Sequence, residues 1–190
     1  MQRLIVFNNV TLDGYFTGPG GDFSWAHGAA ASDDAEFNAF VAGNASGGGM
    51  LLFGRITYEM MASYWPTSAA MQAYPKVAEG MNRSRKVVFS RSLTHAGWNN
   101  TQLINTHIVT AVRKLKQEQG PGMAILGSGS IVAQLAPEGL IDEYQFVVNP
   151  VVLGAGRTMF EGLKQRLALK LTQSRTFKNG KVYLCYQPTA

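Results

Sequence analysis

MAILGSGSIVAQLAPEGL, residues 123–140, reads as a buried strand, a glycine-serine turn and a helix whose first turn is left open. Met123, Ala124, Ile125 and Leu126 are apolar with no polar alternation, which suits a strand covered on both faces. Gly127, Ser128 and Gly129 break the run. Ile131, Val132 and Leu135 then supply the stripe of an amphipathic helix that stops near Pro137 and Gly139. A helix start carries free backbone N–H groups and about half a positive charge, so an anion such as a pyrophosphate can rest there, and glycine lets it come close. The same glycines would serve a tight strand-to-helix turn with no ligand. GSGS is also not the GxGxxG fingerprint with its acidic residue roughly 20 positions on, so a Rossmann unit has little support.

A second unit of the same build lies upstream. MLLFGRITYEMM, residues 50–61, is again an apolar strand ending in a glycine, Gly54, followed by a helix with Arg55 and Thr57 in its first turn. Its buried face is expected to hold Ile56, Met60 and Met61, and it runs out at Tyr64-Trp65-Pro66. Two such strand ends side by side, each presenting unpaired amides, would hold the two ends of a dinucleotide.

Composition narrows the classes. With 190 residues, 46% hydrophobic and only 15% charged, the chain is expected to form one α/β domain spanning 1–190, burying roughly 70% of its unfolded surface. The N-terminal apolar run, Leu4 to Phe7, is far too short for a signal-peptide core or a membrane span, so a cytoplasmic protein is expected, with no membrane partner. One cysteine, Cys185, allows no internal disulfide; in VYLCYQ it reads as a buried strand thiol. His27, His95 and His107 are scattered, and no metal site is expected. The net charge of +5 is spread over dispersed residues without a basic run, which argues against nucleic acid and is explained as well by an anionic small molecule.

Leu4 to Phe7 reads as the first strand, with Asn8 and Asn9 at its carboxyl end, where open α/β sheets place ligands. The following loop, residues 10–28, has turn signals at Asp13-Gly14 and Gly18-Pro19-Gly20-Gly21, yet carries Tyr15, Phe16, Phe23 and Trp25. It is either a pocket wall or a flap tucked over the core. A helix is expected over 32–45, with Ser32 as N-cap, Asp33, Asp34 and Glu36 in the first turn as partners of the helix dipole, and Phe37, Phe40 and Val41 buried. Lys86 to Phe89 is a third strand ending in Ser90-Arg91-Ser92, where hydroxyls and a guanidinium suit a phosphate monoester. Another strand is expected at 101–104, then a helix capped by Thr106 that buries Ile108, Val109, Val112 and Leu115 and exposes Arg113, Lys114 and Lys116. A strand over 143–148 precedes a Gly/Pro-punctuated connection. The C-terminal residues form an antiparallel hairpin about Asn179-Gly180, a type I′ signal.

Taken in order, NNVTLDGYF, GDFSW, LLFGRITYE, YWP, KVVFSRSL, ILGSGSIVAQL and PVVLGAGRTMF resemble the dihydrofolate reductase superfamily. The chain is most similar to the branch typified by the C-terminal reductase domain of the riboflavin-biosynthesis deaminase/reductase, here as a stand-alone reductase. The resemblance runs from about Leu4 to the final hairpin. It implies a three-layer α/β/α fold with a central, mostly parallel sheet and an antiparallel C-terminal hairpin strand, binding NADPH. By motif, Gly54, Arg55 and Thr57 would hold the pyrophosphate and adenosine-side phosphates, Ser90 and Arg91 the 2′-phosphate, and Gly127, Ser128, Gly129 and Ser130 the pyrophosphate and nicotinamide half. Asn9, Asp13, Trp25, Leu153 and Gly154 would line the nicotinamide and substrate side. In dihydrofolate reductases one carboxylate on the first long helix grips the pterin; here the candidates for that catalytic group are Asp33, Asp34 and Glu36. The expected activity is hydride transfer from NADPH to a planar heterocyclic or carbonyl small molecule, a pterin or a ribosylaminouracil phosphate, in a homodimer. The alternative is a non-catalytic NADP(H)-binding or regulatory module.

Overall fold

The structure, a computed structural model, describes residues 1–27 and 34–189. The described chain runs β1 (Leu4–Thr11), β2 (Tyr15–Thr17), α1 (Ala35–Ser46), β3 (Met50–Gly54), α2 (Arg55–Tyr64), α3 (Ser68–Ala73), α4 (Pro75–Arg83), β4 (Lys86–Phe89), β5 (Thr101–Ile104), α5 (Ile108–Gln117), β6 (Met123–Leu126), α6 (Gly129–Leu135), β7 (Glu143–Asn149), β8 (Arg157–Thr158), β9 (Leu169–Thr176) and β10 (Val182–Pro188). Eight strands form one sheet in the order β5-β4-β3-β6-β1-β7-β10-β9. The six strands from β5 to β7 are mutually parallel, and β10 joins antiparallel to both β7 and β9. This is the three-layer architecture with a closing hairpin that the sequence implies.

Helices cover both faces, which is why the parallel strands read as unbroken apolar runs. Neighbouring residues go to opposite layers. Leu52, Val87 and Phe146 pack with Ile108, Val112, Ile131 and Leu135 of α5 and α6. Phe53 and Val88 pack with Tyr58, Trp65 and Met81 beneath α2 to α4, and Val147 packs with Phe37 of α1.

Several local expectations are corrected. The helix expected from Ser32 starts at Ala35 and is capped by Asp34, whose carboxylate accepts from the Phe37 N–H at 3.0 Å; Ser32 and Asp33 lie outside the described residues. On α2, Ile56 is 66% and Met60 39% exposed, while Tyr58 is 4% exposed. The helix turns Tyr58 inward because its ring packs against Phe53 and Trp98, and its hydroxyl accepts from the Trp98 N–H at 2.9 Å. Residue His107, not Thr106, occupies the cap position of α5. Lys116, expected in solvent, is buried: it donates to Leu140 O at 2.9 Å and pairs with Asp142, which also accepts from the Leu4 N–H at 2.7 Å. The C-terminal turn is not type I′, which needs positive φ at Asn179; only Asn100 and Ser128 show positive φ among described non-glycine residues. Instead Gly180 alone takes φ +81°, donating to Phe177 O at 3.0 Å while Phe177 donates to Lys181 O at 2.9 Å, a three-residue turn with a bulge.

Candidate functional site

Because β4, β3, β6, β1 and β7 are parallel, their carboxyl ends share one edge of the sheet. After β3 the chain moves outward to β4, and after β6 it moves the other way to β7. A crevice therefore opens between the ends of β3 and β6, the position where such sheets bind ligands. The two glycine units meet there. The Gly54 N–H donates to Ser128 Oγ at 2.7 Å, and that hydroxyl reaches Thr57 Oγ1 at 3.1 Å. A Cβ on Gly127 would lie 2.9 Å from Thr57 Cγ2 and Oγ1, and one on Gly129 would meet Met159 O at 3.2 Å and the Phe16 ring at 3.4 Å. Gly127 (φ +62°) and Ser128 (φ +58°, ψ +57°) are both left-handed, a strain of roughly 1 kcal/mol for the serine.

The contacts revise one expectation. The strand-end amides of Gly54 and Gly127 are not unpaired: the first is taken by Ser128 and the second by Asn8 Oδ1 at 2.7 Å. The donors for an anion begin one residue later. Ser128, Gly129 and Ser130 precede the first bonds of α6, made by the Ile131 and Val132 N–H groups to Ser128 O. Asn8, which also donates to Met159 Sδ at 3.4 Å, holds this turn from beneath. No sequence signal beyond its place at a strand end marks that role.

The end of β4 is the cationic part of the edge. Gly54 is in register with Phe89, so Arg55 and Ser90 stand next to each other. Ser90 Oγ accepts from the N–H groups of Ser92 and Leu93, shaping the turn, and Arg91 is exposed without an ion-pair partner among the described residues. Arg55 pairs with Glu59 at 2.9 Å in solvent. From β4 to β1 is three strand spacings, about 14 Å. Along that distance lie, in turn, a guanidinium, the start of α2, the amide turn of α6 and the paired asparagines of β1.

At the β1–β7 end, Asp13 accepts from Thr11 Oγ1 at 2.6 Å and from the Leu153 and Gly154 N–H groups at 3.1 and 2.8 Å, which lowers its pKa. Asp13, Leu153 and Gly154 are thus brought together, as a clamp between two loops. Trp25 donates its indole N–H to Asp22 O at 3.2 Å and meets Phe23 edge-on. Part of the aromatic loop is the strand β2, paired with β8, whose Phe16 is buried against Gly129. The loop is therefore both flap and wall. Asn9 accepts from Asn149 Nδ2 at 3.3 Å; Asn149, 2% exposed, in turn accepts from Lys181 Nζ. Lys181 is buried, donates also to Ala26 O at 3.2 Å and lies 5.2 Å from the Phe37 ring centre; burial lowers its pKa. Nothing in the sequence singled out Asn149 or Lys181.

Of the candidate acids, Asp34 borders this network through Asn179, whose side chain accepts from the Lys181 N–H at 3.0 Å. Asp34 spends one oxygen on the α1 cap and accepts with the other from the Asn179 N–H at 3.1 Å, and these amides lower its pKa. Glu36 forms a surface ion pair with Arg175. Asp33 lies outside the described residues. Cys185 is a buried thiol whose pKa burial raises. Among the described residues there is no cluster able to hold a metal ion, and no helix long and apolar enough to cross a membrane.

The model of the RibD C-terminal domain matches residues 2–183. The chain belongs to the RibD C-terminal domain family. Among its relatives, this family member is 30% identical over 185 residues to the uncharacterized protein YyaP of Bacillus subtilis (strain 168), covering 97% of this chain and 94% of that one. Its fold is also that of the deaminase/5-amino-6-(5-phosphoribosylamino)uracil reductase of Thermotoga maritima, with a TM-score of 0.67 and 14% identity over 99% of this chain and 57% of that one. It is likewise that of dihydrofolate reductase from Enterococcus faecalis, solved with NADP(H) and RAB-propyl, with a TM-score of 0.64 and 13% identity over 99% and 97% of the two chains. The sheet order and the meeting of the two glycine units in this family member thus belong to a dihydrofolate-reductase-like fold.

Proposed function

We propose that the chain is an NADPH-dependent reductase that delivers hydride to a C=N or C=O bond of a planar small molecule. The observation that carries this reading is the row of strand ends, in which Arg91, without an ion-pair partner among the described residues, the start of α2 and the Gly127–Ser130 turn follow one another over about 14 Å toward Asn9. The residues fit the cofactor. Arg91 and Ser90 would hold the 2′-phosphate, Arg55 and Thr57 together with the Ser128, Gly129 and Ser130 amides would hold the pyrophosphate, and Asn9 would face the acceptor. NADPH, when bound, supplies the hydride of its nicotinamide ring.

The protein's share is positioning and exclusion of water. Asn8 and Ser128 lock the amide turn by bonds to Gly127 and Gly54. Phe16 seals the turn from the β2–β8 side, and the Asp13 clamp keeps the two loops of the acceptor end together. An acid or an ordered water delivers the proton.

NADPH is expected to raise the melting temperature well above the shift given by NADH, and Arg91→Ala to narrow that gap; equal shifts for the two cofactors in the unaltered protein would defeat the 2′-phosphate assignment. Stopped-flow oxidation of NADPH across pterins, pyrimidines and simple carbonyls separates an enzyme from a module that only binds the nucleotide, since the latter oxidises it with none.

A further inference from the structure

The polar chain at the acceptor end has only one consistent set of donors and acceptors. An ammonium donates and never accepts, so Lys181 obliges Asn149 to turn Oδ1 toward it. Backbone carbonyls only accept, so the Val10 and Val147 carbonyls, at 3.2 and 3.0 Å, independently oblige Asn149 to turn Nδ2 the other way. Asn149 is therefore fixed twice over. Its two Nδ2 hydrogens are shared among these carbonyls and Asn9 Oδ1 at 3.3 Å; because this face of Asn149 only donates, Asn9 turns Oδ1 inward and Nδ2 outward. Asn9 is half-buried, on the α1 side of β1 and one residue beyond Asn8, which holds the amide turn; among the described residues nothing takes its Nδ2 hydrogens.

We propose that Lys181, acting through Asn149, fixes Asn9 as a hydrogen-bond donor to the acceptor molecule, so that the site takes a substrate carrying a lone pair at that point, a carbonyl oxygen or an unprotonated ring nitrogen, and disfavours an N–H there. This rests on the reading of the β1–β7 end as the acceptor side. Asn9 is the contact; Asn149 and Lys181 are positioning residues. The arrangement discriminates because a buried donor facing another donor leaves both unpaired.

Two substitutions at one position separate this role from a merely structural one. Asn149→Ala removes the bridge and leaves Asn9 free to turn either way. Asn149→Asp keeps a partner for Lys181 but offers Asn9 only an acceptor, which turns Asn9 Oδ1 outward to meet the substrate's lone pair. With NADPH and the carbonyl or imine probe that the wild type oxidises it with fastest, chosen from 7,8-dihydrofolate, menadione and simple aldehydes, Asn149→Asp is expected to lose at least tenfold in kcat/KM and Asn149→Ala about threefold, while the melting shift from NADPH persists in both. Asn149→Asp also turns a carboxylate oxygen toward the Val10 and Val147 carbonyls, so a structural role alone predicts a loss that follows the fall in its melting temperature and that Asn9→Asp, which leaves those carbonyls bonded to Asn149, does not share. Parity, or a greater loss in Asn149→Ala, with NADPH still bound and the wild type still turning over, overturns this inference and leaves the reductase reading standing. If the wild type shows no NADPH shift or oxidises NADPH with no probe, both fall together. Should Asn149→Asp lose its cooperative melt, Asn9→Asp against Asn9→Ala carries the same comparison at the contact itself: a larger loss in Asn9→Asp supports the donor assignment and parity overturns it.

Discussion

Gly127→Ala tests the junction of the two glycine units directly. The alanine must adopt φ +62°, a left-handed conformation costing about 1 kcal/mol relative to glycine, and its Cβ falls 2.9 Å from both Cγ2 and Oγ1 of Thr57. Thr57 is β-branched and sits in the first turn of α2, where its χ1 has little freedom, so the overlap is relieved by moving backbone, at roughly 1–3 kcal/mol. The sum is about 2–4 kcal/mol, or several degrees in Tm for a chain of this size. Truncating the neighbour separates the two parts. Thr57→Ala removes both clashing atoms and leaves Cβ at an ordinary 3.5 Å, while losing the contact with Ser128 Oγ, worth about 1 kcal/mol. In that background Gly127→Ala should cost only its backbone strain. Urea denaturation of the wild type, both single variants and the double variant gives the coupling, expected to be about 1–3 kcal/mol in the direction of relief. Additivity within about 0.5 kcal/mol would mean that α2 and the Gly127 turn do not touch as described, and the crevice built on that contact would have to be redrawn.

Two further outcomes are expected. The phase of α2 is checked by Ile56→Ser, which should change stability by no more than about 0.5 kcal/mol, against Tyr58→Phe, which strands the Trp98 N–H and should cost about 1–2 kcal/mol by chemical denaturation. Lys86, fully buried, donates to the carbonyls of Met81, Asn82 and Ser84 and lies 4.5 Å from the Trp98 ring centre, and burial lowers its pKa from 10.5 to about 8. The unfolded chain thus holds this proton when the folded chain has lost it, so stability attributable to Lys86 rises between about pH 8 and the unfolded value near 10.5. Relative to Lys86→Met, the stability of the wild type should climb across that window; a difference that is flat or falls would show that the ammonium is no harder to keep inside the protein than in water.

The places of the parallel strands along the chain and the two glycine turns could be read because each strand is a short apolar run ended abruptly, as at Leu126-Gly127 and Phe53-Gly54. Both-face burial removes alternation, and glycine marks where the backbone must bend or come close. The phase of α2 could not be read, since Ile56, Tyr58, Met60 and Met61 place apolar side chains around most of the helix, and only the partners Phe53 and Trp98 decide among them. Buried cations were illegible for a related reason. Lys116 and Lys181 go inside because acceptors from remote segments meet them, and Lys86 because the carbonyls at the end of α4, just ahead of it, turn back onto its ammonium; no hydropathy pattern announces either arrangement. The β2–β8 ribbon is two to three residues per strand joined across about 140 positions, too short for periodicity to register. At the candidate site, the residues read from glycine and hydroxyl motifs came together, whereas Asp34 and Glu36 proved to serve the cap and the surface of α1.

The position of β10 has a consequence for how the molecule is made. This strand is not an outer one: it lies between β7 and β9 and carries, just ahead of it, the Lys181 that reaches Asn149. Once residues 1–176 have been made, every glycine, hydroxyl and guanidinium along the β4, β3 and β6 ends is present, yet Lys181, the partner of Asn149, is still unmade. The Lys181–Asn149 contact is therefore completed only when β10 enters between β7 and β9, after the β3–β6 crevice already has all its residues.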